Sequence, residues 1–172
     1  MNHPIDNTTF ESTARSAYAW TIVSIISFAG SMVLFGLTER MEGAIYLFTL
    51  SAVVAHLALI PVVIALPAPA WAKIGGYTLA VVDTILFVAA LHGLPETVIN
   101  PFRYGAHVVA ALWPLGVALT SAGFIRIPGY ALAAAYASIP LFGALIPASA
   151  NFIVVPLFLI WLGAVALKLK HI

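Results

Sequence analysis

Leu79-Ala80-Val81-Val82-Asp83-Thr84-Ile85-Leu86-Phe87-Val88-Ala89-Ala90-Leu91 decides how this chain is read. Apart from Asp83 and Thr84 the stretch is apolar, and it extends back to Trp71 as one run. Runs of about 20 apolar residues are the length a helix needs to cross a bilayer core, whereas a barrel strand would alternate polar and apolar positions. The composition agrees: 63% of the 172 residues are hydrophobic and only 8% are charged. A soluble domain of this size carries about a quarter of its residues charged. With a mean hydropathy of +1.08, most of the surface has no need to face water.

Five further runs flank this one, separated by polar or Gly/Pro-rich breaks. The six expected spans are about 14–37, 43–66, 71–91, 98–124, 129–146 and 149–167, after a polar segment over 1–13. The expected fold class is therefore all-α: a polytopic integral membrane protein with six transmembrane helices in one compact bundle. Thr8 and Glu11 stand at capping-box spacing, so a helix is expected to begin near Thr9 or the segment to remain a tail. The opening residues lack the basic region of a cleavable signal, and the first span is expected to act as an uncleaved anchor.

Orientation follows from Lys and Arg. Arg15, Lys73, Arg126, Lys168 and Lys170 fall on the side shared by both termini, and Arg40 and Arg103 on the other. Both termini are expected in the cytoplasm, in a cell (inner or plasma) membrane. The scattered basic residues form no nucleic-acid patch. The absence of cysteine removes disulfides, thiolate metal sites and cysteine nucleophiles.

An internal echo suggests a 3+3 inverted repeat. Arg40-Met41-Glu42-Gly43 and Ala58-Leu59-Ile60-Pro61 recur 86 positions later as Arg126-Ile127-Pro128-Gly129 and Ala144-Leu145-Ile146-Pro147. Tyr18/Tyr104 and Gly30/Gly116 share the offset, but the last span does not keep it. Such repeats are common in transporters with a site near the midplane.

His56, Asp83 and His107 lie inside spans, and Arg103 near the outer end of the fourth. Ionisable groups in hydrocarbon are costly and face the bundle interior or a wet cavity. Gly76, Ala80, Asp83 and Ala90 form one helical stripe, expected to be a close helix–helix contact. Asn100, Arg103, His107, Ala110 or Ala111, and Pro114 form a second. At 1.5 Å per residue, Asp83 lies roughly 12 Å from the outer edge, His107 roughly 14 Å and His56 roughly 20 Å. Asp83 is therefore expected to be compensated from the fourth span, by His107 or by Arg103. The plainer alternatives are a structural Asp–His pair and a His56 bonded to a nearby Ser or Thr. Of the tryptophans, Trp71 fits an interfacial belt, while Trp20, Trp113 and Trp161 are expected to pack more deeply.

Three functions follow as expectations. The first is binding or transport of a small protonatable or cationic solute, with Asp83, His107, Arg103 and His56 as ligand or proton-relay residues. Glu39, Glu42, His92 and Glu96 would line its outer vestibule. The second is a non-catalytic accessory subunit of a membrane complex, or a homo-oligomer. The third is a redox protein holding haem b between His56 and His107. No HExxH, GxSxG, P-loop or GxGxxG motif is present, so no catalytic residue and no metal ligand set is assigned.

Overall fold

The computed structural model describes residues 7–38, 40–41, 43–142 and 151–171. The chain is all-helical. Its segments are α1 (Asn7–Phe35), α2 (Ala44–Leu57), α3 (Leu59–Ala65), α4 (Ala70–Leu91), α5 (Glu96–Ala110), α6 (Leu112–Thr120), α7 (Arg126–Phe142) and α8 (Asn151–Lys170). α2 runs on into α3 and α5 into α6, so the described residues form six helical units. Five of these are long and apolar enough to cross a membrane, and the arrangement is compatible with a helical membrane bundle. The sixth, α7, has 17 described residues.

The two interruptions have the same cause. Proline lacks an N–H and its ring clashes with the carbonyl four residues earlier. Pro61 disturbs Leu57, where α2 ends, and Pro114 disturbs Ala110, where α5 ends. Ala58 and Ala111 stay close to helical dihedrals, so each unit bends without stopping.

Each unit packs on its neighbours in sequence, and α8 closes on α1. The result is a ring in chain order. Connections 36–43 and 92–95 lie at one end, here called upper, and 66–69 and 121–125 at the lower end. Hydroxyls tie α1 to α2: Ser24 Oγ donates to the Ala55 carbonyl (2.8 Å) and Ser51 Oγ to that of Ser27 (2.7 Å). The lower end is joined by Lys168 Nζ to Ser121 Oγ, Lys73 Nζ to the Ile64 carbonyl (both 2.8 Å) and Thr120 Oγ1 to the Pro67 carbonyl (2.7 Å).

The core is thick in the lower half, where Trp113 and Trp161 meet edge to face, their centroids 4.8 Å apart, beside Leu59, Val62 and Leu132. α4 approaches α5 and α6 through small residues. A methyl group at Gly75 would come within 2.6 Å of the Val109 carbonyl oxygen, and one at Gly116 would collide with the Ala72 methyl. Gly76 packs on Val63 and the Trp113 ring. The stripe expected on α4 is thus a contact surface at Gly76, Ala80 and Asp83, with Gly75 and Ala72 added. Ala90 is exposed and does not belong to it. Trp20 is likewise 44% exposed and does not pack inward. The junction between the last two expected spans, including Ala144–Pro147, lies outside the described residues.

Candidate functional site

Asp83 is buried in the middle of α4, 3% exposed, with two imidazoles converging on its Oδ2. His107 Nε2 of α5 donates to it at 3.1 Å, and His56 Nε2 of α2 stands 3.5 Å away. Oδ1 has no hydrogen-bond partner among the described residues. Three different units therefore meet at one carboxylate.

Proton placement follows from the partners. A carbonyl only accepts, so His56 Nδ1, 2.7 Å from the Ala52 carbonyl, carries a hydrogen. A neutral ring would then aim the Nε2 lone pair at a carboxylate oxygen. One proton must lie between the two groups, on Nε2 or on Oδ2. His107 donates through Nε2, which leaves its Nδ1 without a hydrogen-bond partner among the described residues. Its side chain is 24% exposed, against 4% for His56. His107 is thus the more exposed of the two imidazoles, and His56 the more deeply buried.

The cluster lines a cavity of about 480 Å3 in the upper half of the ring. Phe28, Phe48, Phe87 and Phe158 give it an apolar wall. Phe28 and Phe87 also flank the His56 ring, at centroid distances of 5.1 and 5.5 Å. Tyr136 packs on the His107 ring at 5.3 Å. Asn100, Arg103, Tyr104 and the exposed Glu96 complete the lining toward the upper end. Below lies the packed Trp113–Trp161 layer, so the cavity has an apolar floor.

Of the residues expected at the site, Asp83, His107, His56 and Arg103 share this cavity. Arg103 does not reach the carboxylate: its guanidinium carbon lies 5.2 Å from the centroid of the Phe87 ring, and it makes no ion pair among the described residues. Axial counting sets His56 too deep to reach Asp83, and among the described residues its ring bonds the Ala52 carbonyl and no Ser or Thr. Cα–Cβ bonds tilt toward a helix's N-terminus. α2 descends and α4 ascends, so His56 leans up and Asp83 leans down, and the height difference closes. Of the expected vestibule, Glu96 lines the cavity. His92 is exposed at the end of α4 and is not among the lining residues. Glu39 and Glu42 lie outside the described residues. Tyr136 and Phe28 join the site without any sequence signal beyond being aromatic.

Among the described residues, no group of three or more His, Asp or Glu side chains is disposed to hold a metal ion. The donor atoms of this cluster are directed at one another. No family model, curated protein or solved structure matches this chain. What defines it is a six-unit helical ring with a buried His–Asp–His cluster at the base of an aromatic cavity.

Proposed function

We propose that the chain is a six-span membrane protein, both termini cytoplasmic, whose upper cavity faces outward and binds or carries a small protonatable solute. Asp83, His107 and His56 serve as its proton relay. The observation that carries this reading is the buried cluster in the cavity wall, with His107 its most exposed member. An Asp between two histidines stores one proton at little electrostatic cost and can pass it along the line His107–Asp83–His56.

The membrane reading draws on the surface. Large apolar side chains are exposed on every helical segment, among them Ile26, Leu50, Ile64, Ile85, Phe102, Leu119, Ile127 and Ile160. A soluble monomer does not expose apolar surface this widely. Spread around the whole ring, it fits lipid better than a single protein partner, which weighs against the accessory-subunit alternative. The orientation rests on Lys73, Arg126, Lys168 and Lys170 gathered at the lower end. Because the chain has no cysteine, sidedness is directly testable. A His92→Cys variant should react with an impermeant maleimide on intact cells, and an Ala122→Cys variant only after permeabilisation; the reverse pattern would invert the proposed topology.

Ring order argues against the inverted repeat. Turning three helices over in the membrane reverses the circular sense in which they follow one another. Units in chain order around a closed ring keep one sense throughout, so the 86-residue offset is attributed to composition. Haem is also poorly served, because the Asp83 carboxylate stands between the two imidazoles where a porphyrin would have to lie.

The test is reconstitution into liposomes with an internal pH-sensitive dye, challenged with a panel of small acids, amines and neutral solutes. At least one solute class is expected to change the internal pH, and folded Asp83→Asn to lower that rate at least about tenfold, as loss of a positioned proton-transfer group does. A panel with no solute-driven signal would remove the relay reading.

A further inference from the structure

The polar groups of the cavity differ in whether they are already engaged, and that difference points to the charge of the ligand. The negative charge of Asp83 is not on offer. Two imidazoles cover Oδ2, and Oδ1 is buried away from any accessible surface. Arg103 is the reverse case. It is half-buried, stacked on Phe87, and has no anionic partner among the described residues, so its fork of N–H donors is uncommitted. Arginine in such a position matches a planar carboxylate bidentately. Asn100, one turn away on the same helix, and Tyr104 line the same part of the cavity and add donors beside it. Glu96 also lines the cavity, but it is exposed in the first turn of α5, about 10 Å along the helix from Arg103.

The remainder of the wall is hydrocarbon and aromatic. Phe87 contacts Phe48 at 5.6 Å, and Phe28 contacts Phe158 at 5.0 Å. The volume lies within the range that holds small organic ligands. We propose that this cavity binds a small amphipathic carboxylate, its anionic head on the Arg103 guanidinium and its hydrocarbon or aryl body against Phe28, Phe48 and Phe158. The assignment rests on the solute-site reading above and gives it a substrate class: weak organic acids. With the cluster holding its one proton, the bound carboxylate offsets the charge of Arg103.

The experiment is calorimetric titration of the full chain in lipid nanodiscs with three probes of one shape: 4-phenylbutyrate, 4-phenylbutanol and 4-phenylbutylammonium. The acid is expected to bind at least about tenfold more tightly than the alcohol, the scale of one charge-assisted bidentate contact. Arg103→Gln should abolish that advantage. Arg103→Lys, which keeps the charge and loses the fork, should retain part of it and guards against a Gln variant that fails to fold. Palmitate as a competitor distinguishes the source: displacement of 4-phenylbutyrate indicates a lipid-derived acid, and its failure a water-soluble one. Equal affinity for acid and alcohol, tighter binding of the ammonium, or unchanged acid binding in folded Arg103→Gln would overturn the assignment. An amine that drives the liposome signal while acids do not would overturn it too, yet leave the proton-relay reading standing.

Discussion

Asp83→Ala is expected to destabilise the folded chain by about 3–5 kcal/mol, the scale for removing one partner from a buried charged group. The substitution removes the acceptor of His107 Nε2 and, among the described residues, the polar neighbour of His56 Nε2 in one step. His56, 4% exposed at its side chain, is poorly placed to be satisfied by water instead. Asp83→Asn should lose less, about 1–3 kcal/mol. Both imidazoles address the same oxygen, and an amide presents either a carbonyl or an NH2 at that position, so it satisfies one histidine and not the other. Unfolding in mixed micelles followed by tryptophan fluorescence measures both. Asp83→Ala as stable as the parent chain would mean that the three side chains are not in contact.

A mutant cycle separates contact from function. Asp83→Ala combined with His107→Ala should fall short of the summed single losses by about 0.5–3 kcal/mol, as directly bonded groups do. Replacing all three by leucine should restore much of the stability, because well-packed apolar groups often equal or exceed a buried ionic cluster. The same triple variant should have lost the proton signal in liposomes. Recovery of stability without recovery of that signal is the signature of a cluster kept for chemistry.

Much of this was legible in the sequence, and the rest failed for identifiable reasons. Helix α4 over Ala70–Leu91 lies within a residue of the expected span, because Pro67 and Pro69 precede it and Gly93 and Pro95 follow. The pairing of Asp83 with His107 could be read from two nearly equal depths on consecutive antiparallel spans. His56 could not, since its depth came from a different connection and the count ignored side-chain tilt. Arg103 was placed on the correct face, yet its choice of Phe87 over Asp83 depends on ring positions that span counting does not supply. The fourth span ended at Thr120 and not near Phe124, since Ser121 is extended and its hydroxyl accepts from Lys168. The cavity itself had no sequence signal. Its wall is assembled from aromatics on six helices that are indistinguishable, one at a time, from ordinary membrane-facing residues.

Gly75→Val should disrupt the bundle, for a reason that couples packing to the site. At this crossing the neighbour is backbone: a Cβ would sit 2.6 Å from the Val109 carbonyl oxygen and 2.9 Å from the Trp113 amide nitrogen. Neither can rotate aside, so α4 has to move away from the α5–α6 unit. Overpacking of this kind costs about 1–3 kcal/mol, and more when backbone must shift. Asp83 rides on the same helix two turns higher, and an outward shift of about 1 Å carries its 3.1 Å bond to His107 beyond hydrogen-bonding range. Gly163→Ala is the control. It lies within α8 with open space around its would-be Cβ, so relief of glycine's conformational entropy should stabilise by about 0.5–1 kcal/mol. Thermal unfolding of the two variants should therefore shift in opposite directions, and Gly75→Val should also weaken the solute-driven proton signal. A Gly75→Val chain that unfolds at the parent's temperature would show that α4 and the α5–α6 unit do not approach this closely.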